Sequence, residues 1–206
     1  MKILVIGASG MIGSRIVSEA SARGHEVIAA ARHPANIPAQ TGLSTIELNV
    51  YDHTALAQAA AGVDAVIAAV SPRNTGKAME EALSYADALI GGLGTTRLLL
   101  VGGAGSLNLP DGTPVADVVP EAYAAEAKAM RAAYAKIAAS ALDYTVLAPA
   151  GEIAPGERTG TFRLGGNTLL TDAAGNSHIS AEDYAVAMLN EAEQAAHPKQ
   201  LFTAAY

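Results

Sequence analysis

The chain of 206 residues contains no cysteine and no tryptophan. Without cysteine there are no disulfides, no thiolate metal centre and no cysteine nucleophile, a composition that suits a reducing compartment. Aromatic residues make up only 4% of the chain, so a core must be assembled from Ala, Val, Leu and Ile. Half the residues are apolar, enough for a sizeable one. Positive charge is also scarce: 13 Lys and Arg stand against 20 Asp and Glu, a formal charge of −7. Binding to nucleic acid regardless of sequence needs a basic surface, so that class of partner is not expected. No apolar run approaches the length that crosses a bilayer, and the first, ILVI after Lys2, leads into no cleavable leader pattern. The expectation is a cytoplasmic protein with no membrane partner.

Several catalytic signatures are missing as well. The histidines, His25, His33, His53, His178 and His197, form no HxxxH-like pair, so no metal site is expected. There is no GxSxG nucleophile elbow. No tyrosine has a lysine four residues later: Tyr85 is followed there by Leu89, Tyr123 by Ala127 and Tyr134 by Ala138. Lys128 falls one place too far from Tyr123, and five residues leave two side chains roughly 140° apart on a helix. A tyrosine–lysine acid/base dyad is therefore absent. Tyr123, Ala127, Met130, Tyr134, Ile137 and Ala141 instead recur at spacings of four and three. That assigns both tyrosines to the apolar stripe of a helix over 120–140. The adjacent Glu80 and Glu81 read as a solvated helix face.

What is present is an alternation of short apolar runs with amphipathic stretches. Strands are predicted at 2–7, 25–31, 43–49, 63–70, 96–103 and 142–149, and helices at 11–23, 53–60, 75–91 and 120–140. Wholly apolar strands separated by helices imply a parallel sheet covered on both faces. The fold class is α/β, a doubly wound sheet with strand order 3-2-1-4-5-6. Beyond residue 150 the turn signals GGN and AAGN predict a small β-hairpin over 161–180. Ser180 reads as the N-cap of a last helix, and QLFTAAY closes as a strand. The whole chain, 1–206, is read as one domain, with 150–206 forming part of a substrate-side appendage.

The segment GASGMIG follows the first strand and opens the first helix. In that context three glycines make a phosphate cradle: Gly7 for a tight turn, Gly10 for close backbone approach, Gly13 for helix–strand packing. The second strand ends in Arg32 and His33 with no acid at its tip. An acid there would hold a ribose 2′-hydroxyl, whereas a guanidinium pairs with a 2′-phosphate, so NADP is favoured over NAD. Asp52 could meet an adenine amino group or cap the short helix after it. Ala69, Val70, Gly102 and Gly103 lie at the tips of strands four and five, where a nicotinamide ribose would sit. With Ser9, Met11, Ile12 and Pro149 they complete the candidate cofactor set. Ser106 is the first hydroxyl beyond strand five and the one catalytic candidate. The acceptor pocket, by elimination, is built from loops 71–77, 103–119 and 150–160, in which Arg73 and Arg158 could hold an anionic group.

GASGMIG, Arg32-His33-Pro34, RLLLVGGAGSL (97–107), LAPAGEIAPGERTGTFRLGG (147–166) and ISAEDYAVAML (179–189) together resemble atypical short-chain dehydrogenases/reductases. More narrowly, they resemble the NAD(P)H-binding proteins described as NADH-flavin reductases, relatives of biliverdin reductase B and of NmrA-like proteins. The resemblance runs from end to end. It implies a Rossmann domain, an NADP-type cofactor, and reduction of a flavin such as FMN or FAD, or of a quinone-like planar acceptor. Hydride transfer of that kind needs no tyrosine–lysine dyad. Two alternatives stay open: an NADP(H)-sensing regulator of the NmrA-like kind, and a nucleotide-sugar epimerase or dehydratase, against which the missing dyad counts. Either a monomer or a homodimer fits.

Overall fold

A computed structural model of the chain describes residues 1–73 and 75–206. Asn74, within the predicted acceptor loop 71–77, lies outside the described residues. The first half builds the expected alternation. Strands β1 (Lys2–Ile6), β2 (Glu26–Ala31), β3 (Leu43–Glu47), β4 (Ala65–Ala68), β5 (Leu98–Val101) and β6 (Tyr144–Ala148) are separated by helices α1 (Met11–Ala22), α2 (His53–Ala60), α3 (Ala78–Gly92) and α4 (Glu121–Ala138). Short strands follow at β7 (Glu152–Ala154), β8 (Arg163–Gly165) and β9 (His178–Ser180), then α5 (Ala181–Gln194) and β10 (Leu201–Ala205).

Eight strands form one sheet in the order β3-β2-β1-β4-β5-β6-β10-β8. Every pairing is parallel except the last, β10 with β8. The predicted order 3-2-1-4-5-6 is thus observed and extended by two strands from the C-terminal third. Side chains alternate between two apolar layers, as strand geometry demands. Leu4 and Ile6 of β1 face one layer with Leu56 of α2, Leu89 of α3 and Ile137 of α4. Ile3 and Val5 face the other with Ile16 of α1 and Tyr184 and Leu189 of α5. Small side chains let these layers close: the added Cβ of a residue at Gly92 would stand 2.6 Å from Leu56 Cδ2.

The termini of the helices follow local chemistry. The Asp52 carboxylate accepts from the amides of Thr54 and Ala55 and caps α2, and the Ser180 hydroxyl accepts from Asp183 N and caps α5. Gly24, at φ +79°, ends the α1 segment in the left-handed region.

The predicted C-terminal hairpin needs correction in its pairing. Its two strands exist, but β8 joins β10 antiparallel and β9 joins β7 in parallel, rather than each other. β10 is wholly buried and its free edge takes β8 through three residue pairs, Thr203 with Gly165, Ala204 with Leu164 and Ala205 with Arg163. Loop 103–119 is likewise not a free strap. It holds two single turns of 3-10 helix, Ala104–Ser106 and Val115–Asp117, and Asn108 bridges to both Pro114 and Thr168.

Candidate nucleotide-binding site

Because each crossover returns the chain for another parallel strand, every helix from α1 to α4 begins at the carboxyl end of the sheet. The glycine cradle forms there. The amides of Gly7 and Ala8 both donate to Ala30 O, at 3.0 and 3.1 Å, and Gly10 N donates to Gly7 O at 3.0 Å. Gly7 takes φ +80°, and a Cβ on it would stand 2.3 Å from Ala69 O. A Cβ on Gly13 would stand 2.1 Å from Gly7 O, so only glycine lets α1 sit this close to the turn. Gly10 differs: its Cβ would meet nothing nearer than Gly7 O at 3.3 Å, and it lies exposed with Ser9 and Met11. No side chain caps α1 and no acid lies in its first turn. The amides of Met11, Ile12 and Gly13 are therefore offered outward at the positive end of the helix dipole. This open cradle fits the pyrophosphate of a dinucleotide.

The adenosine end expected of a bound dinucleotide would fall at the tips of β2 and β3. Arg32 and His33 are exposed there. Tyr51, absent from the sequence-derived set, is 46% exposed and its phenol interacts electrostatically with Arg32. Partial burial raises the Tyr51 pKa, the Glu81 charge raises it further, and Arg32 opposes both. The signal in the sequence was an aromatic directly after a strand tip. Asp52, beside it, commits Oδ1 to the α2 cap, the second of the two roles read for it. Glu81, expected on a solvated face, is buried and accepts from the amide and hydroxyl of Thr75. It ties the loop after β4 down onto α3, while Glu80 stays exposed beside Lys77.

The other end would fall across the tips of β4 and β5. Ala69 N extends the β4 pairing to Ile6 O at 2.8 Å, and Val70 follows, half-buried. Gly102 and Gly103 are packed more tightly than ligand access alone would ask. Their added Cβ atoms would stand 2.8 Å from Val146 Cγ1 and 2.9 Å from Met130 Cβ. Pro149 is buried beyond β6. Ser106 is 4% exposed, and its Oγ has no hydrogen-bond partner among the described residues. Arg131, also missed from sequence, fixes this loop. Its Nη1 donates to the carbonyls of Gly105, Ser106 and Leu107 at 3.1–3.2 Å, and Nη2 to Asn108 Oδ1 at 3.0 Å.

Two further predicted placements change. Tyr123 does not join the α4 stripe: it is 63% exposed, and the buried face is Ala129, Met130, Ala133 and Ile137. It precedes the part of α4 that packs on the sheet, because the helix starts above the strand tips. Arg158 lies away from the cradle, where its Nε and Nη2 bind Glu19 on the flank of α1 at 2.7 and 2.8 Å. Arg73 does reach the carboxyl end, where it pairs with Glu126 of α4 at 2.9–3.0 Å. Exposed large apolar side chains gather at this same end: Met11, Tyr51, Met79, Val118 and Tyr123.

The comparisons with known proteins agree with this geometry. The model of a family described as NAD(P)H-binding matches residues 7–195. The chain belongs to that NAD(P)H-binding family. Among relatives, the chain is 34% identical to the "Uncharacterized protein YwnB" of Bacillus subtilis, over 98% of this chain and 97% of that one. Among solved structures, it is similar to a "putative NADH-flavin reductase" from Streptococcus pneumoniae (TM-score 0.90, 32% identity, covering 100% and 99% of the two chains). It is also similar to a "putative epimerase" from Bacteroides thetaiotaomicron (TM-score 0.92, 38% identity, 100% and 96%). The protein is thus a Rossmann-type NAD(P)H-binding chain of oxidoreductase-like fold. Among the described residues no helix is long and apolar enough to cross a membrane.

Proposed function

We propose that the protein is an NADPH-dependent reductase of a planar acceptor, a flavin such as FMN or FAD or a quinone. The observation that carries this reading is the character of the carboxyl edge beside the cradle. It is open and apolar, with exposed Met79, Val118 and Tyr123, and it carries no tyrosine–lysine dyad. Bound there, the reduced nicotinamide supplies a hydride. The amides of Met11, Ile12 and Gly13 hold the pyrophosphate, and Arg32 beside Tyr51 holds a 2′-phosphate against an aromatic wall. The tips of β4 and β5, with Ala69, Val70, Gly102, Gly103 and Pro149, support the nicotinamide end. Ser106 supplies a hydroxyl with hydrogen-bonding capacity to spare, and Arg73 supplies positive charge on the acceptor side. Chain 1–206 acts as one unit, since its C-terminal third adds β10 and β8 to the sheet the cradle hangs from.

The name of the pneumococcal relative supports this reading. That of the Bacteroides relative points to epimerisation, which the missing dyad disfavours. Titration of NADPH and NADH by nucleotide fluorescence, followed by NADPH oxidation with FMN, FAD and menadione, tests the reading. NADPH is expected to bind more tightly, and at least one acceptor to be reduced. Tight NADPH binding with no turnover would favour a redox-sensing regulator instead. Arg32→Ala is expected to weaken NADPH about 10- to 100-fold, as loss of a bidentate phosphate contact does, and to leave NADH unchanged. An equal loss for both nucleotides would remove Arg32 from the 2′-phosphate site.

A further inference from the structure

We infer that Tyr123 and Arg73 form the two walls of the acceptor slot. On this view the acceptor is a planar ring that gains negative charge at a carbonyl edge as it is reduced. This rests on the reductase reading above and specifies its acceptor site. The placement of Tyr123 is set by how α4 meets the β5 loop. Ala127 packs against Gly105 so closely that a Cβ there would stand 2.6 Å from Ala127 O, and Arg131 grips the carbonyls of that loop. Tyr123, Ala127 and Arg131 are spaced by four, so they share one helix face. Tyr123 is thus carried about 6 Å, one helical turn, above the contact at Gly105. There it is 63% exposed, and its hydroxyl has no hydrogen-bond partner among the described residues.

Arg73 reaches the same place from the loop after β4. Glu126 engages its Nε and Nη2, at 2.9 to 3.0 Å, which fixes the plane of the guanidinium. Nη1 makes no hydrogen bond among the described residues, and the side chain is 70% exposed. Arg73 also interacts electrostatically with Tyr123. An aromatic ring and an oriented cation are therefore neighbours at the carboxyl end of the sheet, brought together by Glu126, three residues from Tyr123 on α4. A flat ring stacks on the phenol. The acceptor takes a hydride, with both electrons, from the reduced nicotinamide, which is oxidised in the same step. The negative charge left on the carbonyl edge of the acceptor faces Arg73 until water supplies a proton. Preorganised positive charge of this kind acts where charge develops.

The test compares Tyr123→Ala, Tyr123→Phe and Glu126→Gln in the full-length protein. Acceptor kinetics with NADPH and menadione or FMN are measured beside FMN binding to the NADP⁺-loaded protein by flavin fluorescence. Tyr123→Ala is expected to raise the acceptor KM about tenfold, the size of a lost stacking contact, with the NADPH KM and the melting temperature unchanged. Tyr123→Phe keeps the ring and is expected to behave as the parent. Glu126→Gln frees the guanidinium and is expected to lower kcat more than it raises the acceptor KM. An acceptor KM untouched in Tyr123→Ala overturns the slot and leaves the reductase reading standing. Tyrosine-dependent FMN binding without turnover keeps the slot and overturns the reductase. If the parent neither binds nor reduces any acceptor, both fall.

Discussion

At the scale of single residues, the three glycines of GASGMIG are not equivalent. Gly7 combines φ +80° with a forbidden approach to Ala69 O, and Gly13 is held against Gly7 O. Any side chain at either must push backbone aside. Gly10 sits at φ −77° and a Cβ on it would stand 3.3 Å from Gly7 O, so alanine needs only a slight shift of the turn at that position. Its Cβ would fill the approach that a pyrophosphate needs. Gly10→Ala is therefore expected to change unfolding free energy by less than about 1 kcal/mol. The same variant should weaken NADPH at least tenfold by nucleotide fluorescence. Gly13→Ala is expected to fail at the level of folding, with a loss of several kcal/mol by denaturant titration. Equal behaviour of the two variants would mean that Gly10 serves the fold alone. The spacing of these glycines was legible in the sequence, but their division of labour was not, since it depends on which atoms face each missing Cβ.

At the scale of elements, strands and helices were legible because periodicity reports burial; burial on both faces made the sheet parallel, and the doubly wound fold then set the β1–β6 order. The errors have a common cause. The α4 stripe was drawn through Tyr123 and Ala141, yet Tyr123 is exposed in the first turn of the helix and Ala141 lies past its end at Ala138, and spacing alone shows neither. The hairpin over 161–180 was read from local turns, and the open edge of β10, distant in sequence, won its strand. Glu81 was read as solvated because nothing local shows that the loop after β4 folds back to it. Arg131 was invisible for the same reason: its partners are carbonyls some twenty residues away, which no side-chain pattern encodes. Arg131→Met keeps the helix and the apolar stem but leaves the carbonyls of Gly105, Ser106 and Leu107 without their donor. It is expected to cost about 2–3 kcal/mol in denaturant unfolding. Since this loop continues from Gly102 and Gly103, it should also raise the NADPH KM. Arg131→Lys, with a single point donor, is expected to recover part of each. Full stability in Arg131→Met would mean that the loop is held by its bridges at Asn108 alone.

At the scale of the whole molecule, the side of the sheet covered by α1 and α5 is closed by charge as much as by apolar packing. The segment 155–160 is latched across it. Arg158 pairs with Glu19, Gly156 N donates to Glu182, and Thr159 and Gly160 donate to the buried carboxylate of Asp183. Hydrogen bonding from Arg158, opposed by burial and reinforced by Arg23, lowers the Glu19 pKa to about 2. Burial pushes Asp183 up, but bonds from Thr159, Gly160 and Tyr206 more than offset it, and its pKa is lowered as well. For an acid depressed in the folded state, the contribution to stability is complete above its ordinary pKa and is lost as pH falls toward the folded value. For Glu19 that window runs from about 4.5 down to about 2. The amount is on the order of 1–2 kcal/mol once solvent screening of the half-exposed Arg158 is counted. The melting temperature of the parent is therefore expected to hold above this window and to fall within it. Glu19→Gln should melt lower at neutral pH, and its deficit should shrink as the pH drops below about 4.5, because the parent loses what the variant already lacks. The measurement is a pair of melting curves at each pH. A deficit that stays constant down to pH 3 would show that Glu19 supports the α1 flank through packing and not through its charge.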